Sequence, residues 1–477
     1  MTQLKPMKTG FTLFIGLLLL PWWLFATTGY SIKVSIEGYS EKKITLAYYF
    51  GNQKYVKDTA SRGADGLFVF KGATPLQSGI YSIVLEPEQI GLDILVSEKE
   101  QQFSIQTKVV DPFQNLRFTG SLENDLFQKY IRFVSEQNPI SDTLRAQYKR
   151  SPEGQQKEKF KHLLQKADST QLLYVQNFIR ENKGTYAALV IKATLPIRYP
   201  SFTGTSDEKM IKTWLYARKH CFDNIPIQDF RLLRTPHYFQ AITTYVDDLL
   251  FQHPDSLKVG IDYILNQLRP NKEAFEYYAV HFLRQYLQPK VMGMDAVFVH
   301  MVEQYLQTGQ VKLNSADQQA KIVQMAQKLK PLLIGKLSPN IPLMDRQGKK
   351  FNLHDLDAEY TLLIIWAYDC GHCKHSAPFW KSFYDQYKDK GVKLVALCYV
   401  PESEIPACWK YVDDNGLGAW LHAYDPLLRF AKPYNVETTP QVYLMDRNKV
   451  IIGKQIVAEQ MEDVVGKIIE LQKKGKI

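Results

Sequence analysis

The chain of 477 residues carries 59 Lys and Arg against 49 Asp and Glu, a formal net charge of +10, and 45% of it is hydrophobic. That length implies about three domains of ordinary size, and the composition is that of a globular protein. The positive charge contains no Lys/Arg block comparable to a nucleic-acid-binding arm, so it reads as a solvated basic surface and no nucleic-acid partner is expected.

Lys5 and Lys8 precede an apolar run at 11–20, which 21–25 extends before the small residues of 26–29. A basic start, a short apolar core and small residues after it describe a secretory signal. The run falls short of the roughly 20 apolar residues of a spanning helix, and an uncleaved anchor stays open. Residues 1–28 are therefore expected to be a signal peptide or membrane anchor. Either places the body of the chain in the periplasm or cell envelope, where disulfides persist.

Residues 29–120 alternate as strands do: Ile32, Val34 and Ile36, then Ile44 and Leu46, then Leu67 with Val69 and Phe70, then Tyr81, Ile83 and Leu85. Turns are expected at Asp65-Gly66 and Ser78-Gly79, giving a β-rich domain. Over 121–333 the apolar spacing becomes helical, as in Phe127, Tyr130, Ile131 and Val134. Prolines such as Pro139, Pro196 and Pro254 are expected to divide this region into about eight helices of an all-α domain. Its aromatic faces read as core, and its lone Cys221 as buried packing. Residues 334–477 alternate strand and helix, with a buried strand at 361–367, a second at 393–399, a hairpin around 441–452 and a closing helix at 461–474. That order describes a sheet with helices on both faces, so the whole chain is expected to be a multidomain α+β protein.

The chemistry gathers where the strand at 361–367 gives way to a helix on which Phe379, Phe383 and Tyr387 recur every four residues. Two cysteines, Cys370 and Cys373, stand at that junction around Gly371 and His372. A helix N-terminus offers unpaired N–H groups and a partial positive charge, and both favour a thiolate over a thiol. The thiolate is the nucleophile. Cys370 is therefore the expected attacking sulfur, and Cys373, one turn in, the one that resolves the mixed disulfide. Protonated His372 would add positive charge beside the sulfur. A zinc site needs four ligands, and no second pair lies at matching spacing. A c-type haem needs His directly after the second cysteine, where Lys374 stands. No metal and no cofactor is expected, while a purely structural disulfide stays open.

Farther on, Thr439-Pro440 precedes the β-rich run 441–445. Together with Trp366-Ala367, Cys370-Gly-His-Cys373, Pro378, and the lead-in residues Ile334-Gly-Lys336, Pro339 and Gly348, these residues resemble the thioredoxin superfamily, in the exported branch typified by the TlpA and ResA proteins. A C-x-x-C pair amid alternating strands and helices is the most general of these marks. The resemblance implies a thioredoxin-like fold over 334–477, with Pro440 a cis-proline facing the cysteines and Thr439 pairing its backbone with an extended substrate. Residues 29–120 resemble the small β-rich domain often fused ahead of such modules in Bacteroidota envelope proteins, either a docking element or a spacer. Three departures stand out. Asp369 replaces a common Trp, Ile364 occupies the place of a buried carboxylate, and Ser376 stands where many exported relatives carry Glu. Proton transfer would then fall to Asp369, His372 or water. Cys398 and Cys408 form a second disulfide or stay as two buried thiols, since connectivity is not legible in sequence.

The expected function is that of an exported thiol-disulfide oxidoreductase, reductase or isomerase, acting on cysteine-containing envelope proteins and recharged by a redox partner. The rival reading is an envelope binding or scaffold protein whose C-G-H-C pair is structural or vestigial.

Overall fold

The computed structural model describes residues 29–474 apart from Glu88, so the signal or anchor expected at 1–28 lies outside the described residues. The chain divides into two compact units. One runs to Thr194 and takes in Arg234–Pro236; the other comprises Leu195–Leu233 and His237–Ile477. Among the described residues, nine α-helices occupy the region expected to be helical, and they are shared between the two units.

In the first unit, strands β1 (Tyr30–Glu37), β2 (Lys43–Phe50), β3 (Gln53–Ser61), β4 (Phe68–Gly72), β5 (Gly79–Leu85), β6 (Ile90–Val96), β7 (Gln102–Lys108) and β8 (Arg117–Thr119) form two four-stranded sheets. Their orders are β4-β1-β7-β8 and β3-β2-β5-β6. Period-two alternation turns Ile32, Val34, Ile44, Leu46 and Ile83 into one shared core. In β4 the pleat sends Phe68 and Phe70 inward, so Val69, expected with the core set, is exposed. Helices α1 (Leu122–Arg150), α2 (Gln155–Glu181) and α3 (Tyr186–Ala193) follow. Ser121 caps α1 by accepting the Asn124 N–H, and Asn124 exchanges two hydrogen bonds with the backbone of Leu95. Pro139 does not end a helix as its missing N–H would dictate; it lies inside α1. Packing of α1 along α2, including Phe133 stacked 3.6 Å from Tyr174, carries the helix through it.

The second unit opens with α4 (Ser206–His220), α5 (Pro236–Asp247), α6 (Pro254–Leu268), α7 (Lys272–Gln285), α8 (Asp295–Met301) and α9 (Ala316–Leu329). Its sheet contains β9 (Pro342–Asp345), β10 (Lys350–Asn352), β11 (Tyr360–Trp366), β12 (Val392–Cys398), β13 (Leu421–Tyr424), β14 (Gln441–Met445) and β15 (Ile451–Lys454). The order is β10-β9-β13-β12-β11-β14-β15, with β11 parallel to β12 and antiparallel to β14. Every residue of β11 is buried. Leu362, Ile364 and Trp366 enter a core shared with α10 (Gly371–Tyr387) and α12 (Met461–Lys473), whereas Leu363 and Ile365 enter a second core on the opposite face. A central strand covered on both sides explains why its sequence is an unbroken apolar run. The segment before the sheet covers the edge of β15: Gly335 N–H donates to Ile451 O and Ile451 N–H to Lys336 O, both at 2.8 Å. An edge strand sealed in this way cannot template another chain.

Cys398 at the end of β12 is disulfide-bonded to Cys408 in α11 (Ile405–Asp414), and both are fully buried. Cys221 is a buried free thiol 3.7 Å from the Ala241 carbonyl oxygen, and burial pushes its pKa up to about 11. Among the described residues no helix is long and apolar enough to cross a membrane.

Candidate active site

Strand β11 ends at Trp366, and four residues later Cys370 is the N-cap of α10. Its sulfur takes the place of the usual capping oxygen, accepting the N–H of Cys373 at 3.2 Å. The helix therefore presents its free N–H groups and positive end to this sulfur. Downstream, the buried face of α10 consists of Cys373, Ser376, Ala377, Trp380 and Phe383. Phe379, expected on that face from its spacing, is 38% exposed instead. The stripe is set by Cys373 and Trp380, which the strand junction turns inward, and Phe379 is left beside the ring of His375.

On the other side of the sulfur stands the loop before β14. The Thr439-Pro440 peptide is cis, and the Cys370 thiol donates to the Thr439 carbonyl oxygen at 3.3 Å. Tertiary structure thus brings Cys370, Cys373, Thr439 and Pro440 together from two stretches far apart in the chain. His372 lines a cavity of about 450 Å³ beside them, which Pro440 and Ser376 also line. Asp369 is exposed just before the helix. The Cys398–Cys408 pair is a separate disulfide whose first sulfur-bearing residue lies opposite Trp366 in the β11/β12 register.

The two thiols are electrostatically unlike. Burial opposes ionisation of Cys370, but hydrogen bonding with Cys373 and Thr439, and from the backbone N–H groups of Cys373 and His372, outweighs it. The Cys370 pKa therefore falls below the ordinary thiol value. Cys373 is buried more deeply, and desolvation followed by its hydrogen bond to Cys370 pushes it up to about 12. A site of this kind holds one thiolate ready and keeps its neighbour protonated. The sign of the pH response follows. As pH rises, Cys370 ionises first, so its alkylation by iodoacetamide should reach half its plateau at a lower pH than that of an unstructured cysteine peptide. Cys373 should stay unmodified over the same range, and peptide mass mapping of the modified chain checks both.

Several groups at the site have no signal in the sequence. His375 Nε2 lies 2.9 Å from Glu459 Oε1, and Glu459 also lines the cavity. The Tyr368 hydroxyl donates to Glu404 at 3.1 Å. Lys454, the last residue of β15, is buried against Asp295 of α8 and donates to the Leu332 carbonyl oxygen at 2.9 Å. Each partner lies many residues away, and no spacing rule links them.

The sequence relatives agree with this geometry. The Redoxin family matches residues 333–469, and two domains of unknown function, DUF4369 and DUF5106, match 30–127 and 200–329. A thiol-disulfide oxidoreductase ResA of Bacillus thuringiensis is 32% identical over 130 residues, which is 27% of this chain and 73% of the relative. The ResA protein of Bacillus cereus is 34% identical over 139 residues, covering 28% and 78% respectively. The chain belongs to the thioredoxin superfamily, in its TlpA/ResA-like branch of thiol-disulfide oxidoreductases. The crystal structure of a thioredoxin-like protein from Bacteroides caccae covers 57% of this chain and 98% of its own, at 18% identity and a TM-score of 0.43.

Within this TlpA/ResA-like chain the departures noted in the sequence take physical form. Ile364 is fully buried in the core of β11 and offers no proton acceptor. Ser376 is buried, and the carboxylate that shares its cavity is that of Glu459, supplied by the turn after β15 and held by His375. Hydrogen bonding of Glu459 to its own backbone, then to His375, holds its carboxyl below the usual range, so it is an anion at neutral pH.

Proposed function

We propose that the chain is an exported thiol-disulfide oxidoreductase working through the Cys370-Gly-His-Cys373 pair on cysteine-containing proteins of the cell envelope. The observation that carries this reading is the position of the Cys370 sulfur: at the N-cap of α10, half-buried, low in pKa, and in contact with the Thr439 carbonyl beside Pro440. In the reductive direction the Cys370 thiolate attacks one sulfur of a client disulfide. One S–S bond breaks, a mixed disulfide forms, and the client's other sulfur leaves as a thiolate that takes up a proton. Cys373 then loses its proton and attacks Cys370. The client departs reduced, and the two electrons it gained leave a Cys370–Cys373 disulfide that a separate redox partner must reduce. Run backward, the same steps oxidise a client dithiol; if instead another client thiolate attacks the mixed disulfide and releases Cys370, the client is isomerised with no net redox change.

Burial holds the Cys373 proton tightly, so resolution needs an acceptor. Asp369, His372 or water would serve; Glu459 is an anion in the neighbouring cavity. Export is supported by the apolar run 11–20 behind Lys5 and Lys8, and by the buried Cys398–Cys408 disulfide, a bond that persists in oxidising compartments. The β-rich unit and the helices then belong to the envelope-facing body of the protein.

The test is the reduction potential of the Cys370/Cys373 couple in the full chain, obtained by equilibration with glutathione buffers. A reversible couple between about −270 and −120 mV is expected, the span of thioredoxin-like oxidoreductases. A potential below about −300 mV would mark a structural disulfide and return the scaffold reading.

A further inference from the structure

We infer that the junction between α9 and the sheet, through Leu329 and Leu332, forms one wall of the client groove, and that the groove takes an extended client segment with a bulky apolar side chain beside its cysteine. The inference rests on Cys370 being the nucleophile.

The cavity of about 450 Å³ beside Pro440 is lined by Trp380 of α10 and by Val457. Part of its wall comes from outside the sheet, from Leu329 at the end of α9 and Leu332 just after it. Two ties hold that wall, one to β15 and one to the loop before β14. Lys454 donates to the Leu332 carbonyl oxygen at 2.9 Å while it is buried against Asp295 of α8. Lys328, next to Leu329, lies 3.5 Å from Glu437, two residues before Thr439. The helical part of this unit is thus joined directly to the loop that carries the Thr439 carbonyl.

The lining states what the groove accepts. Leu329, Pro440 and Val457 present apolar surface among polar groups that include His372, Ser376 and Gln441, and Val457 is 56% exposed. The charged groups around it are already partnered: Lys454 with Asp295, Glu459 with His375, and Lys328 with Glu437. An apolar client side chain seated there removes exposed apolar surface from water. The volume suits a bulky side chain with adjoining backbone, at the small end of ligand pockets. His372 and Pro440, the chain neighbours of Cys373 and Thr439, line the groove, so a side chain seated there belongs to the client residues near its cysteine.

The test uses the reduced full chain in single-turnover reactions with two short synthetic peptides, each closed by an internal disulfide and differing only in Leu or Ser next to one cysteine. The wild-type chain should reduce the Leu peptide about tenfold or more faster per unit concentration, the discrimination an apolar pocket can supply. Leu329→Asp should bring the ratio close to one. Leu329→Met should keep most of it, and Val457→Asp, on an exposed rim that folding does not depend on, should lower it independently. A wild-type ratio near one, or a ratio unchanged in both Asp variants, overturns the inference and leaves Cys370 as the nucleophile. Failure of the underlying reading looks different: Cys370→Ser would then reduce both peptides as fast as the wild type.

Discussion

Cys370→Ser is expected to lower thiol-disulfide exchange by at least about a thousandfold, because no other group on the chain can replace the sulfur nucleophile. The reason lies in the inventory of thiols. Of the five cysteines, Cys398 and Cys408 are bonded to each other, and Cys221 and Cys373 are buried; Cys370 alone is partly exposed. Burial also raises the pKa of Cys221 and Cys373, so neither supplies a thiolate at neutral pH. Cys373→Ser has a different expected outcome. Cys370 still attacks, but the mixed disulfide is not resolved, and covalent adducts with client proteins should accumulate on non-reducing gels and disappear with dithiothreitol. Wild-type exchange rates in Cys370→Ser, or no adducts in Cys373→Ser, would remove the assignment.

Asp295→Ala is expected to destabilise the second unit by about 3–5 kcal/mol, the cost of leaving a buried charge without its partner. The Lys454 side chain is 4% exposed and that of Asp295 9%, so water cannot replace the lost carboxylate. The Leu332 carbonyl oxygen alone would remain for the ammonium. A unit of this size should then lose about 1 M or more from its urea midpoint. Tryptophan fluorescence isolates the effect, because all five tryptophans among the described residues, Trp214, Trp366, Trp380, Trp409 and Trp420, belong to the second unit. The double variant Asp295→Leu with Lys454→Met should recover most of the loss, since an apolar pair of similar volume needs no desolvation of charge. A midpoint that barely moves in Asp295→Ala would show that the pair does not join α8 to β15.

Both predictions depend on features of unequal legibility. The Cys370/Cys373 pair proposed to react is readable because its setting is local: a buried strand, two cysteines and a helix start lie within one short stretch, and the N-cap position of Cys370 follows from their order. The central strand is readable for a similar reason, since burial on both faces leaves an unbroken apolar run. Phe379 departs from its expected place because spacing alone does not say where a helix face begins; the strand junction fixes that phase through Cys373 and Trp380. Pro139 departs from the local rule about its missing N–H because that rule competes with the packing of α1 on α2, and packing prevails. The pairing of Cys398 with Cys408 is open in the sequence, because it depends on how α11 folds back onto the end of β12.

Sequence by itself determined the thioredoxin-like order of elements, the two cysteines proposed to attack and resolve, and the Thr439-Pro440 segment that faces them, all of which depend on residues close in the chain or on a recognisable motif. Only the tertiary structure decided that Glu459 enters the cavity beside Ser376, that Asp295 holds Lys454, and that Leu329 and Leu332 border the groove. The His375–Glu459 contact that holds the first and the Asp295–Lys454 contact join residues 84 and 159 positions apart. Their energies come from burial and from the pairing of desolvated charges, neither of which is defined until the elements have packed.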